Sequence, residues 1–132
     1  MQDNRPLRIY PTEGPAPGGH YAPATISNGL IFVSGQLPVR AGPDHDLAAA
    51  PFAAQARQAF DNLLIVLKAA QSDVDHVAKV TIYLAGIDLW PECNRIFAEV
   101  FCDARPARSI VPVPGLHYGY LIEIDAIAVA IS

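Results

Sequence analysis

Pro106-Ala107-Arg108-Ser109-Ile110-Val111 and Leu121-Ile122-Glu123-Ile124-Asp125-Ala126-Ile127-Ala128 decide how the rest of this chain is read. Both are short apolar runs rich in β-branched residues and bounded by proline and glycine, which predicts strands over 107–113 and 121–131. The loop between them is Pro114-Gly115-Leu116-His117-Tyr118-Gly119. The second run is apolar on both faces except at Glu123 and Asp125. Those two carboxylates, two residues apart, share one face of the strand at a spacing of roughly 6–7 Å.

Working back from this pair, Leu89 to Phe101 places Trp90, Cys93, Ile96, Phe97, Val100 and Phe101 on one side at helical spacing, with Pro91 in the tolerated first turn. Val77 to Leu84 alternates Val77, Lys79, Thr81 and Tyr83 with Ala78, Val80, Ile82 and Leu84, predicting a strand whose second set forms an apolar face. From Pro51, residues Phe52, Ala56, Phe60, Leu63, Leu64 and Leu67 recur at helical spacing. The other face of that helix carries Gln55, Arg57, Gln58, Asp61, Asn62 and Lys68 and is expected to lie in water.

Nearer the N-terminus, Ala24 to Ser27 and Leu30 to Gln36 flank Asn28-Gly29, a hairpin signal, and Leu30-Ile31-Phe32-Val33 reads as a central strand. Leu7 to Tyr10 is expected to be a short edge strand, and Pro11 to Gly19 a loop. Val39 to Ala50, with its turn-rich Ala41-Gly42-Pro43-Asp44, shows no periodicity and is expected to be the most mobile segment. The order of strands and helices predicts a single domain over 1–132, in which 1–18 form the N-terminal edge strand and loop. Its fold is a two-layer α/β sandwich, a mixed sheet with both helices on one face.

Composition narrows the partners. Counting glycine instead of tyrosine turns the 52% hydrophobic content into about 55%, above the roughly 45–50% of ordinary domains, so part of the bare sheet face is expected to be covered by another subunit. A net charge of −4 with nine dispersed Lys and Arg residues disfavours nucleic acid. There is no apolar run of roughly 18 residues for a membrane span and no signal-like N-terminus, which suits the cytoplasm. Cys93 and Cys102 are expected to be reduced packing residues on a helix. His20, His45, His76 and His117 have no metal-ligand spacing, and nucleotide and hydrolase fingerprints are absent.

Taken alone, the candidate residues leave two readings open. Glu123 and Asp125 make structural ion pairs at a wet sheet end, or they do chemistry on a buried strand. Arg108 is a surface ion-pair partner, or a bidentate clamp for a small carboxylate. Tyr21 and Ser34, beside glycines at strand ends, are packing and turn residues or ligand contacts.

Gly19-His20-Tyr21, Phe32-Val33-Ser34-Gly35-Gln36, Gln55-Ala56-Arg57-Gln58, Asn94, Pro106-Ala107-Arg108-Ser109 and Ile122 to Ala128 occur together in an order that resembles the RidA/YjgF family of reactive enamine/imine deaminases, formerly called endoribonuclease L-PSP or translation inhibitors. The resemblance runs from about Gly19 to the C-terminus. It implies a chorismate-mutase-like α+β fold in which the last strand inserts between the two strands joined by the first crossover, and a homotrimer with sites between subunits. It implies hydrolysis of 2-aminoacrylate-type enamines and imines, released by pyridoxal-phosphate enzymes, to 2-keto acids and ammonia, with no cofactor and no metal. Arg108 matches the carboxylate-binding arginine and Glu123 the water-directing acid, while Tyr21, Ser34, Gly35, Asn94 and Ile110 fall at substrate-binding positions.

Three departures stand out against that resemblance. Ile110 replaces a common cysteine but keeps its backbone amide, Pro112 replaces an acidic residue, and His20 replaces a proline. The Pro114–Gly119 loop, with His117 and Tyr118, suggests a cleft for a larger or more apolar imine. The implied topology also makes the strands of Arg108 and Glu123 antiparallel but not adjacent, so the two residues are expected at opposite sheet ends, completing a site only across a subunit boundary. The other readings are a non-catalytic trimeric protein that binds keto or imino acids and, less favoured by the acidic charge, a ribonuclease.

Overall fold

The computed structural model describes residues 3–40, 42 and 44–131; of the turn expected at Ala41-Gly42-Pro43-Asp44, Ala41 and Pro43 lie outside the described residues. The strands are β1 (Leu7–Ile9), β2 (Ala24–Ser27), β3 (Leu30–Gln36), β4 (Val77–Leu84), β5 (Ala107–Pro112) and β6 (Ile122–Val129); the helices are α1 (Phe52–Ala69) and α2 (Trp90–Phe101). One six-stranded sheet runs in the order β1-β2-β3-β6-β4-β5. β6 pairs antiparallel with both β3 and β4, and β4 pairs parallel with β5. The C-terminal strand therefore sits between the strands joined by the first crossover. A run of apolar residues on both faces suits that central place, because each face of a central strand must be covered or packed.

The β2–β3 hairpin closes through Asn28 and Gly29, whose φ angles of +52° and +77° are the left-handed pair that a two-residue turn needs. On β6, Ile122, Ile124, Ala126 and Ala128 are buried towards the helices and alternate with Glu123, Asp125 and Ile127 on the opposite face. Phe60 of α1 meets Phe97 and Phe101 of α2 edge-on at 5.9 and 6.2 Å between ring centroids, and Phe97 stacks on Phe101 at 4.2 Å. This aromatic wedge joins the helices over the sheet, in the offset and T-shaped geometries that ring quadrupoles favour.

Several expectations are corrected here. Ala78 is exposed and Val77 is buried, the reverse of strict alternation, because a register shift between Val77 and Lys79 adds a residue to β4 opposite β6. Gln55 and Asn62, placed on the watery side of α1, are fully buried. Gln55 donates to the Ala48 and Ala50 carbonyls and accepts from the Leu121 amide; Asn62 donates to the Leu37 and Val39 carbonyls. These bonds reach the Val39–Ala50 connection at Val39, Ala48 and Ala50, and the connection contains a 3₁₀ turn at Asp46–Ala49.

Cys93 is buried as expected, but Cys102 is an exposed residue ending α2 with φ +53° and is not a packing residue. Trp90 opens α2 in an exposed position and not within the apolar seam.

Among the described residues, the sheet face away from the helices has no covering layer. Phe32 and Ile127 are register partners there, as are Leu30 and Val129, and Phe32 (42%), Leu30 (37%) and Val129 (43%) remain exposed. No helix among the described residues is long and apolar enough to cross a membrane.

Candidate functional site

Register along β4 fixes where the two central residues stand. Val80 is opposite Arg108 on one side and Ala126 on the other, while Tyr83 is opposite Val111 and Glu123. Arg108 and Glu123 are thus three rows apart with one strand between them, not at opposite ends of the sheet. Residues paired across strands point to the same face, and an offset of three rows reverses the face. Arg108 points with Val80 towards the helices, and Glu123 points with Tyr83 away from them.

On the helix face, Arg108 Nη1 donates to Asn94 Oδ1 of α2 at 3.0 Å, and its guanidinium carbon lies 4.7 Å from the centre of the Phe97 ring. The amide acceptor and the ring face hold the cation with no carboxylate partner among the described residues, leaving charged donors for another anion. Ile110, two residues on, is half-buried on the same face of β5, the edge strand. Cys93 lies within Arg108's field, but burial pushes its thiol up to about 11, so it remains a protonated packing group and not a nucleophile.

On the other side, Tyr21, Ser34, Gly35 and Glu123 come together in a cavity of about 790 Å³. It opens ahead of the start of β2, where β3 carries a register shift between Val33 and Gln36. The Glu123 carboxylate lies over Gly35 so closely that a Cβ there would stand 2.7 Å from Oε2, which explains a residue without a side chain at that point. Ser34 Oγ donates to the Ala22 carbonyl at 2.6 Å. Tyr21 Oη accepts from the Gly18 amide at 3.2 Å, which leaves its own O–H free to donate.

Glu123 is half-buried, and burial raises its carboxyl above the ordinary glutamate range; His117 opposes that rise and the nearby Asp125 adds slightly to it. Asp125 accepts a hydrogen bond from Tyr83 Oη at 3.2 Å, so it is tied into the sheet face beside the cavity. No group of three or more His, Cys, Asp and Glu residues is arranged to hold a metal among the described residues.

The structure therefore divides the seven sequence-predicted residues into two sets: Tyr21, Ser34, Gly35 and Glu123 in one cavity, and Arg108, Asn94 and Ile110 at the far edge on the other face. It adds a group that the sequence did not single out. His45 stacks on Tyr118 at 3.8 Å between centroids and 10° between planes, and its Nδ1 is 2.9 Å from Tyr120 Oη. His45 lies in a segment with no pattern, so only its long-range partners reveal it. The cavity lining holds Glu13 and Glu123 but no Lys or Arg among the described residues.

Fold and site together define a class of small α+β proteins with a central C-terminal strand and polar half-sites on opposite faces of the sheet. The Endoribonuclease L-PSP family profile matches residues 12–130, and the chain belongs to that family, the RidA/YjgF proteins. Protein HMF1 of Saccharomyces cerevisiae is 42% identical over 114 residues, covering 86% of this chain and 87% of that one. A RutC family protein of Pyrococcus horikoshii is 33% identical over 120 residues, 91% and 94% of the two chains. Among solved structures, the YjgF gene product of E. coli superposes with a TM-score of 0.80 at 32% identity, covering 92% and 97%. RidA of a Psychrobacter species does so with 0.84 at 27%, covering 93% and 98%.

Proposed function

We propose that this protein hydrolyses reactive 2-imino acids and their enamine tautomers to 2-keto acids and ammonia, at sites completed between protomers of a homotrimer. The carrying observation is the division of the polar groups. Among the described residues, the cavity with Glu123 has an acid and hydroxyls but no Lys or Arg for a substrate carboxylate, whereas Arg108 is held ready with no carboxylate beside it. Because one chain turns these residues to opposite faces, they converge only if Arg108 of one protomer reaches the Glu123 cavity of the next. The uncovered apolar band around Phe32 and Val129 supplies a surface for that assembly. Free imino acids of this kind arise from pyridoxal-phosphate enzymes, which would be the functional link.

In this reading Arg108 fixes the carboxylate through paired charge-assisted hydrogen bonds, and Asn94 holds the guanidinium in orientation. A water oxygen adds to the iminium carbon while Glu123 takes one of its protons. Glu123 returns that proton to the nitrogen of the tetrahedral adduct and then takes the hydroxyl proton as the C–N bond breaks and the carbonyl forms, and the departing ammonia carries that proton away as ammonium. The raised affinity of Glu123 for a proton suits a group that takes a proton and gives it back. Tyr21 and Ser34 line the same cavity, beside Gly35, as binding groups. No cofactor is required by these steps.

The name endoribonuclease in the family description does not sit well with this chain: net charge is −4, and the cavity lining is acidic. The test is release of ammonia and keto acid from enzymatically generated imino acids. Wild-type acceleration that falls at least about 100-fold in Arg108→Ala with assembly retained supports the proposal; unchanged rates in that variant overturn it.

A further inference from the structure

The cavity holding Glu123 extends well past the reacting groups. It runs from Glu123, Gly35 and Ser34 round the C-terminal end of β3 to Ile65 and Val66 of α1, and is walled by Pro11, Pro15, Pro17, His45, His117 and Tyr118. At about 790 Å³ it falls in the roughly 300–1,000 Å³ range of pockets that enclose drug-sized ligands, far larger than a three-carbon imino acid.

The aromatic wall is a built feature. Tyr118 adopts φ +63°, a left-handed conformation that an aromatic residue rarely takes and that is strained. In that position its ring stacks on His45, whose Nδ1 lies 2.9 Å from the hydroxyl of the fully buried Tyr120. Despite that packing, Tyr118 is 56% exposed, so the stack leaves much of the ring uncovered. Its hydroxyl reaches the backbone at Gly18, 3.9 Å from where a Cβ would be, so the ring spans from the loop after β5 to the proline-rich loop. Flat proline and tyrosine surfaces facing an open slot fit a planar apolar group better than a polar chain.

We infer that Tyr118, backed by His45, determines specificity for 2-imino acids bearing an aromatic side chain. The inference rests on the proposed deaminase reading for the reaction, but not for the binding preference. Arg108 of the neighbouring protomer takes the carboxylate, the imine carbon lies at Glu123, and the ring enters the slot between Tyr118 and the prolines. His117 also lines this cavity and lies within the field of Glu123.

Two measurements test this separately. In turnover, the phenyl-bearing imino acid generated by an amino-acid oxidase is compared with 2-iminopropanoate. The wild-type kcat/KM ratio should favour the aromatic substrate by about tenfold or more, Tyr118→Ala should collapse that ratio, and Tyr118→Phe should preserve it. In binding, calorimetry with phenylpyruvate and pyruvate, which cannot react, should show the same preference and the same dependence on Tyr118. Equal binding of the two keto acids by the wild type, or a preference that survives Tyr118→Ala, overturns the inference. Selective binding with no turnover of either imine leaves the inference standing and removes the deaminase reading.

Discussion

Arg108 and Glu123 leave the sheet in opposite directions. With β4 between their strands and three rows between their positions, the arginine turns to Asn94 and Phe97 under the helices and the glutamate to Gly35 on the uncovered face. No side-chain rotation brings them together within one chain, because the sheet itself stands between them. If both act on one substrate, they come from two chains.

Disrupting the apolar band should therefore abolish activity without touching either residue. Phe32→Asp buries a charge in any interface formed by this face, a strongly unfavourable change. The expected outcome is a folded monomer by light scattering, with imine hydrolysis reduced to background. Full activity from a verified monomer would contradict an inter-subunit site.

Gly35→Ala tests how Glu123 is seated. The new Cβ would stand 2.7 Å from the carboxylate oxygen and 2.9 Å from its carbon, so the side chain must move. Since a displacement of about 1 Å in a catalytic group costs on the order of 100-fold, kcat should fall by that order while the melting temperature changes little. Crystallography of the variant would show the displaced carboxylate.

The raised carboxyl of Glu123 has a defined consequence for stability. The folded protein holds this proton to a higher pH than the unfolded chain does, so its contribution is fully present below the unfolded pKa and is lost as pH rises through the folded one. Glu123→Gln removes that loss. Melting temperatures of wild type and variant should converge in acid and separate towards neutral pH, with the variant higher. In turnover, the acidic limb of the wild-type profile should have its midpoint above the ordinary glutamate range.

Gln55→Leu should destabilise the fold. It strips the Leu121 amide of its acceptor and the Ala50 carbonyl of a donor, both at buried or half-buried points, at about 1–3 kcal/mol for each group left unsatisfied. Denaturant unfolding should show a loss of that order, and hydrogen exchange should show earlier opening of the 46–50 segment. A neutral effect would mean that water replaces Gln55.

Most of this architecture is legible in the sequence, and the exceptions have physical causes. Periodicity reveals α1, α2 and β4 because each buries one face, and Asn28-Gly29 reveals the hairpin because few residues take positive φ. Periodicity says nothing about strand order, so the central place of β6 came from the motif resemblance alone. Ala78 was misplaced because an added residue inverts alternation locally. Gln55 and Asn62 were misplaced because a buried amide satisfied by loop carbonyls looks, in sequence, like one facing water. The site residues were legible as residue types, but the opposite facing of Arg108 and Glu123 needed the register, and the His45–Tyr118 stack joins segments with no pattern linking them.

The most direct test of the composite site is a mixture of two dead variants. Under the proposed trimer, Arg108→Ala and Glu123→Gln assemblies are each expected to be inactive. Unfolded and refolded together in equal amounts, they form hybrid trimers in which an intact Arg108 meets an intact Glu123 at one interface. Random assembly predicts recovery of about a quarter of wild-type imine hydrolysis. No recovery from verified hybrid trimers would contradict the account.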